Sequence, residues 1–186
     1  MKRYTLTPYD DACADTQAVY DDYLSTTGMT DVPVWLQSLG HSPALVKGYW
    51  ERAKGTIFAG DLPRPLKELL VYCVSAQNKS RYCSVCHSHA VLSLDKSIDI
   101  STLSVCDLEN LAATLPSQVR VAMLFAIKVA ADANTLTDDD FTALRSEGYG
   151  QEEICEMISV IDLAMMFNTY TCAMKLDLDP CYEALL

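Results

Sequence analysis

Apolar residues recur three and four positions apart along most of this chain, and the strict alternation of a half-buried strand is scarce. That period predicts an all-α protein. A first helix is expected from Asp11 to Ser25, and a short one after Pro33. The third carries its own punctuation, with Ser42 as N-cap, Pro43 at the first helical position, Leu45, Val46, Tyr49 and Trp50 as its apolar positions, and Gly60 as terminator. Pro63-Arg64-Pro65 then resets the chain direction and launches a helix from Leu66 to about Gln77, with Leu66, Leu69, Leu70, Cys73 and Val74 toward the core. Asn78-Lys79-Ser80 reads as a turn, and a further helix runs from about Tyr82 to Ser93.

From Asp95 to Asp107 the period weakens, which predicts a loop followed by a short helical turn near Asp107 to Leu111. Helix resumes at Ser117 to Ala131, where Val121, Leu124, Phe125 and Lys128 mark a mixed face. Thr137 ahead of Asp138, Asp139 and Asp140 is a helix start, because acids suit the positive end of the helix dipole. Gly148 and Gly150 separate that helix from a long last one, Gln151 to about Met174. No repeat or low-complexity tract divides the chain, so residues 1–186 are expected to form one domain.

Composition narrows the partners. The 186 residues carry a net charge of −11, a field that repels phosphate backbones and anionic lipid, so neither nucleic acid nor membrane is expected. The apolar C-terminal stretch is broken by Glu156, Asp162 and Asn168, the pattern of a buried helix rather than a membrane span. Met1-Lys2-Arg3 is followed by acids without an apolar export core, which points to the cytoplasm, where most of the eight cysteines should be free thiols. Cys13, Cys73, Cys106, Cys155, Cys172 and Cys181 read as ordinary packing or surface thiols. The Asn78 sequon carries no weight in that setting.

The chemistry is concentrated between Glu68 and His89. Ser80-Arg81-Tyr82-Cys83-Ser84-Val85-Cys86-His87-Ser88-His89 follows an apolar helix in which Glu68 is a conspicuous acid. A thiol attacks as thiolate, so it needs either an acidifying setting or a base. Cys83 sits in the first turn of its helix, at the positive end of the dipole, and His87 lies one turn further along the same face as candidate base. If the two helices fold as a hairpin, Glu68 can approach His87 and set its basicity, giving a Glu-His-Cys relay. Cys86 stands at CxxC spacing from Cys83, suited to capture an oxidised sulfur.

Glu68, eleven residues, Ser80, two residues, Cys83, three residues and His87 resemble the signature E-x11-C-x2-C-x3-H of the alkylhydroperoxidase AhpD-like and carboxymuconolactone decarboxylase superfamily. Tyr82 occupies the usual aromatic position before the second cysteine. Gly60-Asp61-Leu62, Leu136-Thr137-Asp138-Asp139-Asp140-Phe141 and Phe167-Asn168 resemble the peroxidase-related branch. The resemblance implies an AhpD-like all-helical domain whose central hairpin carries the motif, a homo-oligomer such as a trimer or a multiple of one, and reduction of a hydroperoxide by a dithiol cycle; since no glycine-rich phosphate loop or spaced ligand set appears elsewhere, no metal or other cofactor is expected. The reductant would be a thiol, in related systems a lipoyl or peroxiredoxin partner. Cys83 would be the attacking sulfur. The family's first cysteine is replaced by Ser80, which cannot form a disulfide, so Cys86 is expected to resolve in its place, with Ser80 and Tyr82 as supporting residues.

Other readings of the same residues stay open. One is that Cys83 acts alone, becoming a sulfenic acid that an external thiol reduces. Glu68 and His87 suit proton transfer in a non-redox decarboxylase, and loss of the first cysteine is compatible with an oligomeric scaffold or redox sensor. Cys83-Ser84-Val85-Cys86-His87 also spells the c-type haem string, which the absent export signal disfavours. A zinc site from Cys83, Cys86, His87 and His89 is disfavoured because neighbours on one helix cannot all converge on a tetrahedral ion. His89 and His41 read as surface or loop residues, and Met165-Met166-Phe167 as core or interface.

Overall fold

The computed structural model describes residues 2–96 and 108–183. Among these residues there are ten α-helices and no strand: α1 Ala14–Thr27, α2 Val34–Leu39, α3 Pro43–Ile57, α4 Arg64–Gln77, α5 Arg81–Leu94, α6 Leu108–Thr114, α7 Ser117–Asp132, α8 Asp138–Ser146, α9 Gln151–Met174 and α10 Pro180–Glu183. The all-α expectation holds. α4 and α5 form the central antiparallel hairpin, turned at Asn78-Lys79-Ser80 with Lys79 at φ 57°. α9 packs across α4, α5, α3 and α7, so one long helix ties the hairpin to the rest of the molecule.

The start of α4 explains how the hairpin is aimed. Gly60 takes φ 93°, and a Cβ there would collide with the Glu156 carboxylate of α9. That carboxylate accepts the Asp61 and Leu62 backbone N–H groups at 2.9 and 3.0 Å, which locks the loop leading into α4. From Leu66 to Ser75 every residue of α4 is buried, including Lys67 and Glu68. The main core gathers Leu66, Leu70 and Val74 of α4 with Trp50, Phe125, Met157 and Ile161. Leu69 and Cys73 face a second cluster with Val91, Leu111 and Met123.

Differences from the sequence reading have local causes. α1 starts at Ala14 rather than Asp11, because Tyr9–Asp11 closes a separate 3-10 turn and Ala12 and Cys13 are extended. Leu45 and Leu124 are exposed: the buried stripe of α3 runs through Val46, Trp50, Ala53 and Ile57, and that of α7 through Ala122, Met123, Phe125 and Ala126. α3 ends at Ile57, so Gly60 serves the loop rather than the helix terminus. α8 has the expected start, a capping box between Thr137 and Asp140. The expected loop from Asp95 lies largely outside the described residues, as does Cys106; the helix after it extends to Thr114. Helical period predicts no element beyond Met174, whereas α10 packs back on the hairpin through Tyr182.

Among the described residues, only α9 is long and apolar enough to cross a membrane. It buries Ile154, Met157, Val160, Ile161, Leu163, Ala164, Asn168 and Thr171 within the protein, as a core helix does.

Candidate active site

The turn at Lys79 folds α5 back along α4, which sets His87 opposite Glu68. His87 Nδ1 lies 2.6 Å from Glu68 Oε2, and Arg64 Nε donates to Glu68 Oε1 at 3.2 Å. Arg64 stands one helical turn before Glu68, so α4 itself supplies the second partner. Burial pushes the Glu68 carboxyl upward, but the His87 hydrogen bond and the charges of His87 and Arg64 outweigh it and hold the group below the ordinary carboxylate value. Glu68 therefore stays an anion at neutral pH. With Nδ1 committed to the carboxylate, Nε2 is the nitrogen left to take up a proton.

Cys83 occupies the third position of α5, as the sequence implied, yet it is not acidified at rest. The side chain is buried at 3% exposure, and desolvation raises the thiol above its ordinary value. Hydroxyls of Thr171, Ser80 and Ser75 oppose that shift without cancelling it. The helix-dipole expectation is corrected here, because a partial charge at a helix start gives less than burial takes away. Thr171 Oγ1 is 3.5 Å from the sulfur and 3.1 Å from Ser80 Oγ. Ser80, at the family's first-cysteine position, is thus a fully buried hydroxyl beside the thiol.

Thr171 and Ser75 carry no sequence signal for the thiol's surroundings, because Thr171 stands on another helix and Ser75 falls in the unspecified x11 stretch of the motif. Asn168 completes them. Its Oδ1 accepts from Ser75 Oγ at 2.9 Å, while its Nδ2 is buried without a hydrogen-bond partner. The family resemblance includes Phe167-Asn168 but gives neither residue a place beside the thiol.

Tyr82 is buried, and its hydroxyl faces the C-terminal tail rather than the thiol. It donates to Asp179 Oδ2 at 2.5 Å and accepts from the Trp35 N–H at 3.4 Å, while Asp179 Oδ1 accepts from the Val34 N–H at 2.6 Å. Leu178 closes a small cluster over Tyr82 and Cys83, with Cys86 packed against it. Cys86 is half-buried, and burial together with the Asp179 charge pushes its thiol well up. His89, expected at the surface, instead stacks on Tyr182 of α10 at 5.5 Å between ring centroids. His41 is an exposed turn residue, and Cys73 is a fully buried thiol raised by desolvation alone. No cluster of three or more metal-binding side chains occurs among the described residues.

The chain is similar in structure to an uncharacterised peroxidase-related protein of Ralstonia eutropha JMP134, described as an alkylhydroperoxidase AhpD core, with 21% identity, a TM-score of 0.85 and coverage of 97% of this chain and 94% of that one. A peroxidase-related protein of Silicibacter sp. TM1040 matches with 23% identity, a TM-score of 0.83 and coverage of 98% and 95%. A variant of the debrominase Bmp8 in complex with 2,3,4-tribromopyrrole matches with 18% identity, a TM-score of 0.79 and coverage of 99% and 97%. No family model and no curated protein sequence matches the chain. The fold is the AhpD-like helical fold.

Proposed function

We propose that this protein reduces hydroperoxides with thiol electrons, Cys83 attacking and a Glu68-His87 relay taking its proton. The observation that carries this reading is the 2.6 Å hydrogen bond between His87 and a buried, ionised Glu68, one helical turn from a buried thiol on the same helix. Because burial raises Cys83, the thiol needs a base at the moment of attack, and the carboxylate stabilises the imidazolium formed there. Cys83 sulfur attacks the outer peroxide oxygen, the O–O bond breaks, and His87 returns the proton to the leaving alkoxide. Cys83 is left as a sulfenic acid, which Cys86 condenses to a Cys83-Cys86 disulfide with loss of water. Ser80 takes no part in that disulfide and holds the sulfur's surroundings with Thr171. A thiol reductant, such as a lipoyl or peroxiredoxin partner, then restores the dithiol. We expect a cytoplasmic homo-oligomer, which would cover exposed Leu124, Ile158 and Met165.

The test is one equivalent of organic hydroperoxide added to the reduced protein, followed by peroxide assay and non-reducing peptide mass spectrometry. Stoichiometric loss of peroxide and a disulfide that includes Cys86, both abolished in Cys83→Ser and slowed in Glu68→Gln and His87→Ala, is the expected result. Persisting peroxide with both thiols intact would overturn the reading. Glu68 and His87 would then be tested as proton-transfer groups on lactone acids, and the fold as a scaffold. Because a debrominase shares the fold, a brominated pyrrole is the second substrate to try.

A further inference from the structure

The C-terminal tail lies along the thiol face of α5. Tyr82, Cys86 and His89 are spaced four and three residues apart, so they stand on one face of that helix. The tail meets the two outer positions: Asp179 accepts from the Tyr82 hydroxyl, and Tyr182 stacks on His89. Between these two anchors the tail offers Pro180 and Cys181, and the helix offers Cys86. These two anchors bracket Cys181 on the tail and Cys86 on the helix, which places both thiols in the same short stretch of contact, and the charge of Cys181 bears on the Cys86 thiol. Cys83 and Cys86 pack beneath Leu178, but Cys181 is exposed. The three sulfurs thus run from a buried position to the surface.

We propose that Cys181 is the exit thiol of the cycle, carrying oxidation from the buried Cys83-Cys86 pair to an external dithiol reductant. This inference rests on the peroxidase reading for its entry step. Cys181 thiolate attacks the Cys86 sulfur of the Cys83-Cys86 disulfide, forming Cys86-Cys181 and expelling Cys83 as a thiolate, which takes up the proton that Cys181 gave. The reductant's two thiols then break Cys86-Cys181, returning both cysteines to thiols and leaving as a disulfide. The net change is one hydroperoxide and two thiols converted to an alcohol, water and one disulfide. The exchange solves an access problem, since Cys83 is buried and a protein-sized donor cannot reach it.

The test has two arms on the full chain. In the first, the protein is oxidised with diamide, which turns two thiols into a disulfide without any peroxide, and the linkages are mapped by mass spectrometry. Cys86-Cys181 in the wild type, replaced by Cys83-Cys86 in Cys181→Ser, is expected. Linkage of Cys83 to Cys172, or no linkage at Cys181, would overturn the relay. In the second arm, peroxide turnover is followed with dihydrolipoamide as donor. Cys181→Ser should lower steady-state turnover about tenfold while the first, stoichiometric peroxide reduction keeps its rate, and Cys155→Ser, at another exposed thiol, should change neither. Undiminished steady-state turnover in Cys181→Ser would overturn the proposal. If no variant consumes peroxide, the peroxidase reading fails, and the diamide arm still decides whether the thiols exchange.

Discussion

Lys67 and Glu68 are neighbours on α4, both buried and both charged, yet they serve different ends of the molecule. Lys67 is 1% exposed, pairs with Glu156, and donates to the backbone carbonyls of Thr56, at 3.2 Å, and Ala59. Its partners are a carboxylate already tied to the Asp61 and Leu62 N–H groups and two carbonyls that cannot titrate. Glu68 projects from a different face and meets His87, whose ring has a second nitrogen left free of the carboxylate. One residue of separation turns a charged side chain about a hundred degrees around the helix, from a loop lock to the proposed relay. A buried charge is thus placed for structure or for chemistry according to whether its partner holds a loop or presents a nitrogen toward a thiol-bearing helix.

The sharpest way to break this contrast is Lys67→Met. Removing one member of a buried pair leaves Glu156 uncompensated, and because that carboxylate keeps some exposure the cost should fall near the low end for such breaks, about 3 kcal/mol. Urea unfolding reads it as a lowered midpoint, while peroxide reduction per folded molecule stays at the wild-type level. A large loss of activity at unchanged midpoint would make Lys67 a chemical residue and dissolve the distinction. Glu68→Gln is the mirror experiment. Turnover should fall about a hundredfold, within the usual range for lost acid-base assistance, with a smaller shift in the urea midpoint.

Tyr82→Phe sharpens the comparison with a third buried pair, neither fully static nor catalytic. It deprives Asp179 Oδ2 of its donor, and the unpaired carboxylate oxygen should cost about 1–3 kcal/mol. The expected signature is local, with faster alkylation of Cys86 as α10 detaches and little change in the environment of Cys83. Unaltered alkylation would mean that Leu178 holds the tail without help from the Tyr82-Asp179 hydrogen bond.

The pairs also differ in how readily they could be read from sequence. Glu68, Cys83 and His87 were legible because their spacing is local to one hairpin, and helical periodicity with the Pro63-Arg64-Pro65 and Asn78-Lys79-Ser80 breaks was enough to build it. Lys67 carries no comparable local signal, since its partner Glu156 is far along the chain and a lysine on a helix ordinarily reaches solvent. Thr171 escaped for the same reason, Asn168 showed only as a break in an apolar run and as part of the family resemblance with no sign of its bond to Ser75, and the tail was equally silent: Leu178 and Asp179 are brought to the thiols by tertiary packing, with no local period to announce it. Position alone also misjudged the thiol itself. The first turn of a helix implied acidification, and only the packing reveals the burial that reverses it.

The smallest expected effect separates the two carboxylates by acid. For both Glu68 and Glu156, burial raises the carboxyl, and hydrogen bonds and positive neighbours bring it to a folded-state value below the ordinary 4.5. The unfolded chain therefore binds these protons first as pH falls. Each carboxylate contributes stability that is fully present above 4.5 and is lost as pH drops through its lowered folded value. Glu68→Gln removes one of these contributions, so its stability should fall less steeply than wild type across that window, with the Glu156 contribution retained. Urea midpoints measured from neutral pH down to about pH 3 would show the curves converging in acid. Parallel curves would mean that Glu68 gains as little from His87 in the folded state as in the unfolded one, and the buried pair would then lose its standing as the group that keeps the relay ionised.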